Sequence, residues 1–174
     1  AKRGLPNLRN TVDAVAAMDA PQYAELMEKY NVLSEREFKS RNEIYLEKYV
    51  KEVSIESKLT FRIAKTMIFP AALDYQAKLV TSSVRLKSMG KDHCTSVLDE
   101  LNGHMARLQN EMAHLDSAIH HEHKGGGVLD HARHMRDKVL PAMRAVRETC
   151  DKLEGIVSDE LWPLPTYQEI LFIK

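Results

Sequence analysis

A chain of 174 residues is long enough to bury one substantial core. Its 25 Lys and Arg against 25 Asp and Glu, with a pI near 7.3, argue against a nucleic-acid or anionic-membrane surface. The longest apolar stretches, such as Met67 to Leu73, are far too short to span a bilayer, and no secretory signal opens the chain, so a cytoplasmic protein is expected.

Residues 1–20 hold Gly4, Pro6, Asn7 and Asn10 and read as an extended lead-in. A short helix follows over 21–30, with Pro21 in the first turn, where a missing N–H costs nothing. Residues 1–33 thus form a linking segment. Ser34 and Glu37 have capping-box spacing and open a long helical pattern to about Ser88, interrupted only by Pro70. Met89-Gly90-Lys91-Asp92 then supplies a turn, with Gly at the helix C′ position.

The second long helix, from 92 to about 121, carries Leu98, Leu101, Met105, Leu108, Met112, Leu115 and Ile119 at spacings of three and four. Lys124-Gly125-Gly126-Gly127 ends it. The third, from Val128 to about Val157, repeats the pattern through Leu129, Ala132, Val139, Met143, Val146, Cys150, Leu153 and Val157, broken only by Arg136. Short connections make neighbours antiparallel. The expected fold class is therefore all-α: an up-down-up antiparallel bundle of three long helices over 34–158, with short flanking helices and a docking C-terminal tail over 159–174.

Helix lengths add a constraint. A helix continuous over 34–88 would be roughly 80 Å long, and the other two about 45 Å each. Folded back from residue 90, the second ends near residue 58, and the third runs parallel to the first from about 58 to 88. Residues 34–57 are then left without bundle partners, although Ile44, Tyr45, Leu46, Tyr49, Val50 and Val53 are too apolar to stay bare. The same register puts Pro70 and Pro141 at one level, each bending its helix. It also offsets Cys94 from Cys150 by roughly 9 Å, beyond disulfide reach, so both thiols are expected free.

The tail Leu161-Trp162-Pro163-Leu164-Pro165 contains the one Trp and two of the six Pro. Pro fixes φ and restricts the residue before it, so such a run buries area with little entropy to lose. Thr166 and Glu169 are spaced as a capping box for a short helix, Tyr167 to Phe172. Because the register ends the third long helix beside the polar turn at 88–92, the tail is expected to reach beyond its own helices.

Few residues invite chemistry. His120, His121 and His123 end the second long helix and His131 and His134 begin the third, so His120, His123, His131 and His134 are the weak metal candidates. Structural zinc sites usually add Cys or carboxylate, and a triple glycine does not pre-organise ligands. Glu43 and Glu47 share a helix face as paired carboxylates would, yet Arg36, Arg41 and Lys48 stand near enough to neutralise them in an ion-paired interface. No glycine-rich phosphate loop follows a strand-like run. No catalytic or cofactor-binding residue is assigned.

Three segments carry a family resemblance. The run from Leu161 to Phe172 resembles the closing motif of the type III glutamine synthetases. Arg41, Glu43, Ile44, Tyr45, Leu46, Glu47 and Tyr49, followed by Ile55-Glu56, resemble the "R-x-E-I-Y-L-E-x-Y" segment of that class. Arg3-Gly4-Leu5-Pro6-Asn7-Leu8 with Thr11-Val12-Asp13-Ala14 is similar to the stretch by which those enzymes leave their catalytic domain. The resemblance spans nearly the whole chain but only the family's C-terminal part, and Ala1 in place of Met suggests an excised piece. It implies a parent that ligates ammonia to glutamate through a γ-glutamyl phosphate, using ATP and Mg or Mn. The parent's metal and nucleotide ligands fall outside this sequence, so the chain itself is expected to be non-catalytic and without a cofactor. Its implied partners are its own catalytic domain and neighbouring subunits of a homo-oligomer. The implied interface comprises Arg41, Glu43, Tyr45, Glu47, Tyr49, Trp162, Leu164, Tyr167 and Phe172. The rival readings are a free-standing helical adaptor, which leaves the aromatic tail unexplained, and a metal-binding protein centred on the His tip.

Overall fold

The computed structural model describes residues 3–4, 6–91, 95–121, 126–165 and 167–172. Its elements are all helical, and no strand occurs among the described residues. In order they are α1 (Thr11–Met18), α2 (Pro21–Lys29), α3 (Glu35–Ile63), a π turn (Ala64–Ile68), α4 (Phe69–Ser88), α5 (Ser96–Ile119), α6 (Val128–His134), a second π turn (Met135–Val139), α7 (Leu140–Glu154), a 3₁₀ turn (Asp159–Leu161) and α8 (Tyr167–Leu171). They form two compact units, one of Ala1–Glu56 with His120–Pro141, the other of Ser57–Ile119 with Ala142–Lys174. Among the described residues no helix is long and apolar enough to cross a membrane.

Local signals place the helix ends. Ser34 N–H and Oγ donate to Glu37 Oε2 at 2.9 and 2.6 Å, and Glu37 N–H returns to Ser34 Oγ at 3.3 Å. This is the capping box that opens α3. Gly90 has φ +67°, and Lys91 and Gly90 N–H donate to Leu86 and Lys87 carbonyls, closing α4 as a Schellman motif. Asn31 does the same for α2, with φ 51° and a bond from Val32 N–H to Met27 carbonyl. The second expected box falls on Thr166, outside the described residues, although α8 forms.

The first unit corrects the lead-in. Thr11–Met18 is helical where an extended run was expected, because Asn10 caps it by accepting Asp13 N–H at 2.9 Å. Val12 and Val15 of α1 pack with Leu46 of α3 and Ala132 of α6, flanked by Tyr49, Val50, Val128 and Leu129. The start of α3 therefore has partners on one face, contrary to the register drawn from helix lengths.

The second unit shows where that register fails. The up-down-up bundle is formed here by α3/α4, α5 and α7. Leu101, Leu108 and Leu115 are fully buried, each contributing roughly 1.5–3 kcal/mol of transfer free energy. Gln76 bonds to Asn102, and Thr149 Oγ1 donates to Glu111 Oε2 at 2.6 Å. These pairs set Pro70 level with about residue 108 on α5 and about residue 152 on α7. Pro141 lies some eleven residues earlier on α7, roughly 16 Å away, so the two prolines do not share a level. Within the first unit it is α6, through Ala132, that covers Leu46. Cys150 is a free, buried thiol, as expected; Cys94 lies outside the described residues.

Each proline instead has the same local solution. A π turn ends two residues before Pro70 and two before Pro141, with Phe69 N–H reaching back to Ala64 carbonyl and Leu140 N–H to Met135 carbonyl. The wider turn accommodates a ring that would clash in a regular α-helix.

Candidate functional site

Two of the three sequence motifs meet in the first unit. Asn10 Nδ2 donates to Asp13 Oδ2 at 2.7 Å, holding that carboxylate on the first turn of α1, where the helix dipole favours negative charge. Arg136, on the second π turn, donates from Nη1 to Asp13 Oδ1. Its Nε and Nη2 donate to the Asp137 carboxylate at 2.6 and 2.8 Å. The bond from Arg136 holds the Asp137 carboxyl below its ordinary range. The bond to Asp137, helped by Asp13, holds the guanidinium above its own. Tyr49 is half-buried nearby, and burial pushes its phenol up. Arg136 was the one break in an apolar repeat, which was the available signal for this site. Its partner Asp13 was not linked to it from sequence, because α1 was not foreseen.

The outer face of α3 is different. Ile44 is 57 % exposed, Tyr45 49 % and Ile55 67 %, on the side away from Leu46 and Val53. Arg41, Glu43 and Glu47 are exposed with them, whereas Tyr49 turns inward. Glu47 pairs with Lys51 at 3.2 Å and Lys48 with Glu52 at 3.7 Å. The neutralising partner of Glu47 is therefore not one of the three cations the sequence suggested. At the His tip, His121 and His134 stack with centroids 5.1 Å apart. His120 and His131 are described, but His123 is not, and no group of three metal-binding side chains assembles among the described residues.

In the second unit the tail folds back. Because α7 ends level with about residue 72 on α4 rather than residue 88, the 3₁₀ turn packs on α4, and the chain reverses onto helical surface rather than onto the polar turn. Trp162 N–H donates to Ser158 and Asp159 carbonyls at 3.1 and 3.2 Å. Trp162 and Leu164 are half-buried and border a pocket of about 440 Å³ between the first π turn and α7. Cys150 lines it, and burial pushes its thiol up to about 12. Leu171 and Phe172 stay 73 % and 68 % exposed; the Tyr167 side chain is outside the described set.

Each of the two units is thus an all-α packing of helices. Residues 1–87, half of the chain, match the glutamine synthetase C-terminal domain family, and the chain belongs to that family. It is 30 % identical over 186 residues to the type-3 glutamine synthetase of Dictyostelium discoideum, covering 99 % of this chain and 24 % of that protein. It is 30 % identical over 185 residues to the glutamine synthetase of Bacteroides fragilis (strain YCH46), covering 100 % and 25 %. The Butyrivibrio fibrisolvens glutamine synthetase is 27 % identical over 176 residues, covering 99 % and 25 %. The chain thus spans about a quarter of the length of these relatives.

Proposed function

We propose that this chain is the non-catalytic, structural C-terminal domain of a cytoplasmic glutamine synthetase that works as a homo-oligomer. The parent enzyme ligates ammonia to glutamate through a γ-glutamyl phosphate, with ATP and Mg or Mn. The family match over residues 1–87 carries this reading, since it takes in α1 and the α3 face that α1 supports. No step of the ligation is assigned to the residues of this chain.

The domain's work in this reading is to hold a docking face rigid. Asp13 and Arg136 lock α1 to the third long helix, Leu46 fills the space between them, and Ile44, Tyr45 and Ile55 are left facing outward. Arg41, Glu43 and Glu47 supply the polar rim of a surface that joins the catalytic body or a neighbouring subunit. Phe172, with the exposed end of α8, supplies a second contact, while Trp162 and Leu164 support that end from beneath.

Tyr45→Glu in the complete enzyme tests this. The reading expects a shift to smaller species in sedimentation velocity, with the helical circular dichroism of the isolated chain unchanged. An unaltered assembly would remove the α3 face from the interface. The isolated chain is also expected to form no γ-glutamyl hydroxamate with ATP, glutamate and hydroxylamine, and product formation would overturn the non-catalytic assignment.

A further inference from the structure

The pocket beneath the tail has a chemistry that docking does not use. Its inner wall is apolar, from Ile63, Ala64 and Ile68 on one side to Val146 on the other. Ala64 and Ile68 bound the first π turn, and such turns recur at functional sites because they re-aim side chains out of helical register. Trp162 adds an aromatic surface. The volume of about 440 Å³ lies within the range of small-molecule pockets.

The charged part of the lining is Arg147, Asp151 and Glu154. Glu154 is the last residue of α7, where the helix dipole places partial negative charge and disfavours a carboxylate. Among the described residues no side chain pairs with it. Arg147 and Asp151 also line the pocket and pair with each other at 3.6 Å, so Glu154 is the lining carboxylate left uncompensated. A carboxylate and an indole around an apolar cavity select a positively charged head on an apolar body.

We infer that this pocket binds a small organic cation, an ammonium head at Glu154 with a hydrocarbon or aromatic body against Trp162 and Ala64. The ammonium pairs with the Glu154 carboxylate and the helix end, and the body displaces water from the apolar wall. An anionic analogue of the same shape is repelled.

Trp162 is the only Trp in the chain and reports occupancy directly. The complete 174-residue chain is titrated at neutral pH with phenylbutylammonium and, separately, with phenylbutyrate, following Trp162 emission and heat by calorimetry. The expected result is saturable binding of the ammonium, with affinity at least about tenfold above the carboxylate. Glu154→Gln, checked for helical circular dichroism, is expected to weaken the ammonium at least about fivefold and leave the carboxylate unchanged or improved. Absence of saturable ammonium binding, equal affinity for the two probes, or an unaltered ammonium affinity in Glu154→Gln would overturn the proposal. Saturation by an apolar basic peptide but not by phenylbutylammonium would overturn it too, assigning the groove to a protein partner.

Discussion

Asn42 is only 5 % exposed on the inner face of α3, and both its amide atoms lack a hydrogen-bond partner among the described residues. Burying such an amide unpaired costs about 1–3 kcal/mol, so Asn42→Leu is expected to raise the urea midpoint of the chain by a corresponding amount. An unchanged or lower midpoint would mean that the amide is satisfied in solution. Charge adds a pH dependence whose sign follows from two lowered carboxyls. Asp137, held down by Arg136, and Glu37, held down by Ser34, have folded values below 3.8 and 4.5. Their contribution is present above those ordinary values and is lost as pH falls through the folded ones. Arg136→Ala should therefore flatten the acid limb of stability below about pH 4, measured as melting temperature against pH. Cys150 behaves oppositely: its raised value keeps it a neutral thiol, so alkylation near pH 8 should be slow until urea unfolds the chain.

Among the elements, single side chains differ in weight by mechanism. Leu108 is fully buried on α5, and Leu108→Ala is expected to cost about 2–5 kcal/mol through lost burial and the cavity left behind. Ser34→Ala removes an exposed cap and should cost about 1 kcal/mol; denaturation of both variants checks the ratio. The Ser34–Glu37 box and Gly90 were legible in sequence because a cap is decided within a few residues. The seam of α5 was legible because Leu101 to Leu115 report one period. The end of α5 near residue 59 also followed from length alone. What did not follow was the packing of α6 on Leu46, since which turn meets it depends on long-range contacts. Nor did the π turns follow: Pro70 and Pro141 announce a disturbed helix but not which widened turn absorbs it. Helix α1 was missed because Gly4, Pro6 and Asn10 outweighed a stretch that buries only Val12 and Val15, although Asn10 and Asp13 had cap spacing.

For the whole molecule, the sequence conveyed fold class and family well, and the candidate site only in part. Tyr45 and Arg41 are exposed on α3, while Trp162 settles beneath its own tail because α7 stops level with the middle of α4. In the function proposed above, α1, α3 and α6 form a frame that presents the outer α3 face to the rest of a larger enzyme. A double-mutant cycle on Asp13→Ala and Arg136→Ala in the complete enzyme, read as the fraction assembled by sedimentation velocity, probes that frame at its Asp13–Arg136 pair. Each single change is expected to weaken assembly, and the second to add less than it does alone, because the Asp13–Arg136 bond is lost in either. Full assembly of the double variant, with ligase activity intact, would rule out that role for the frame.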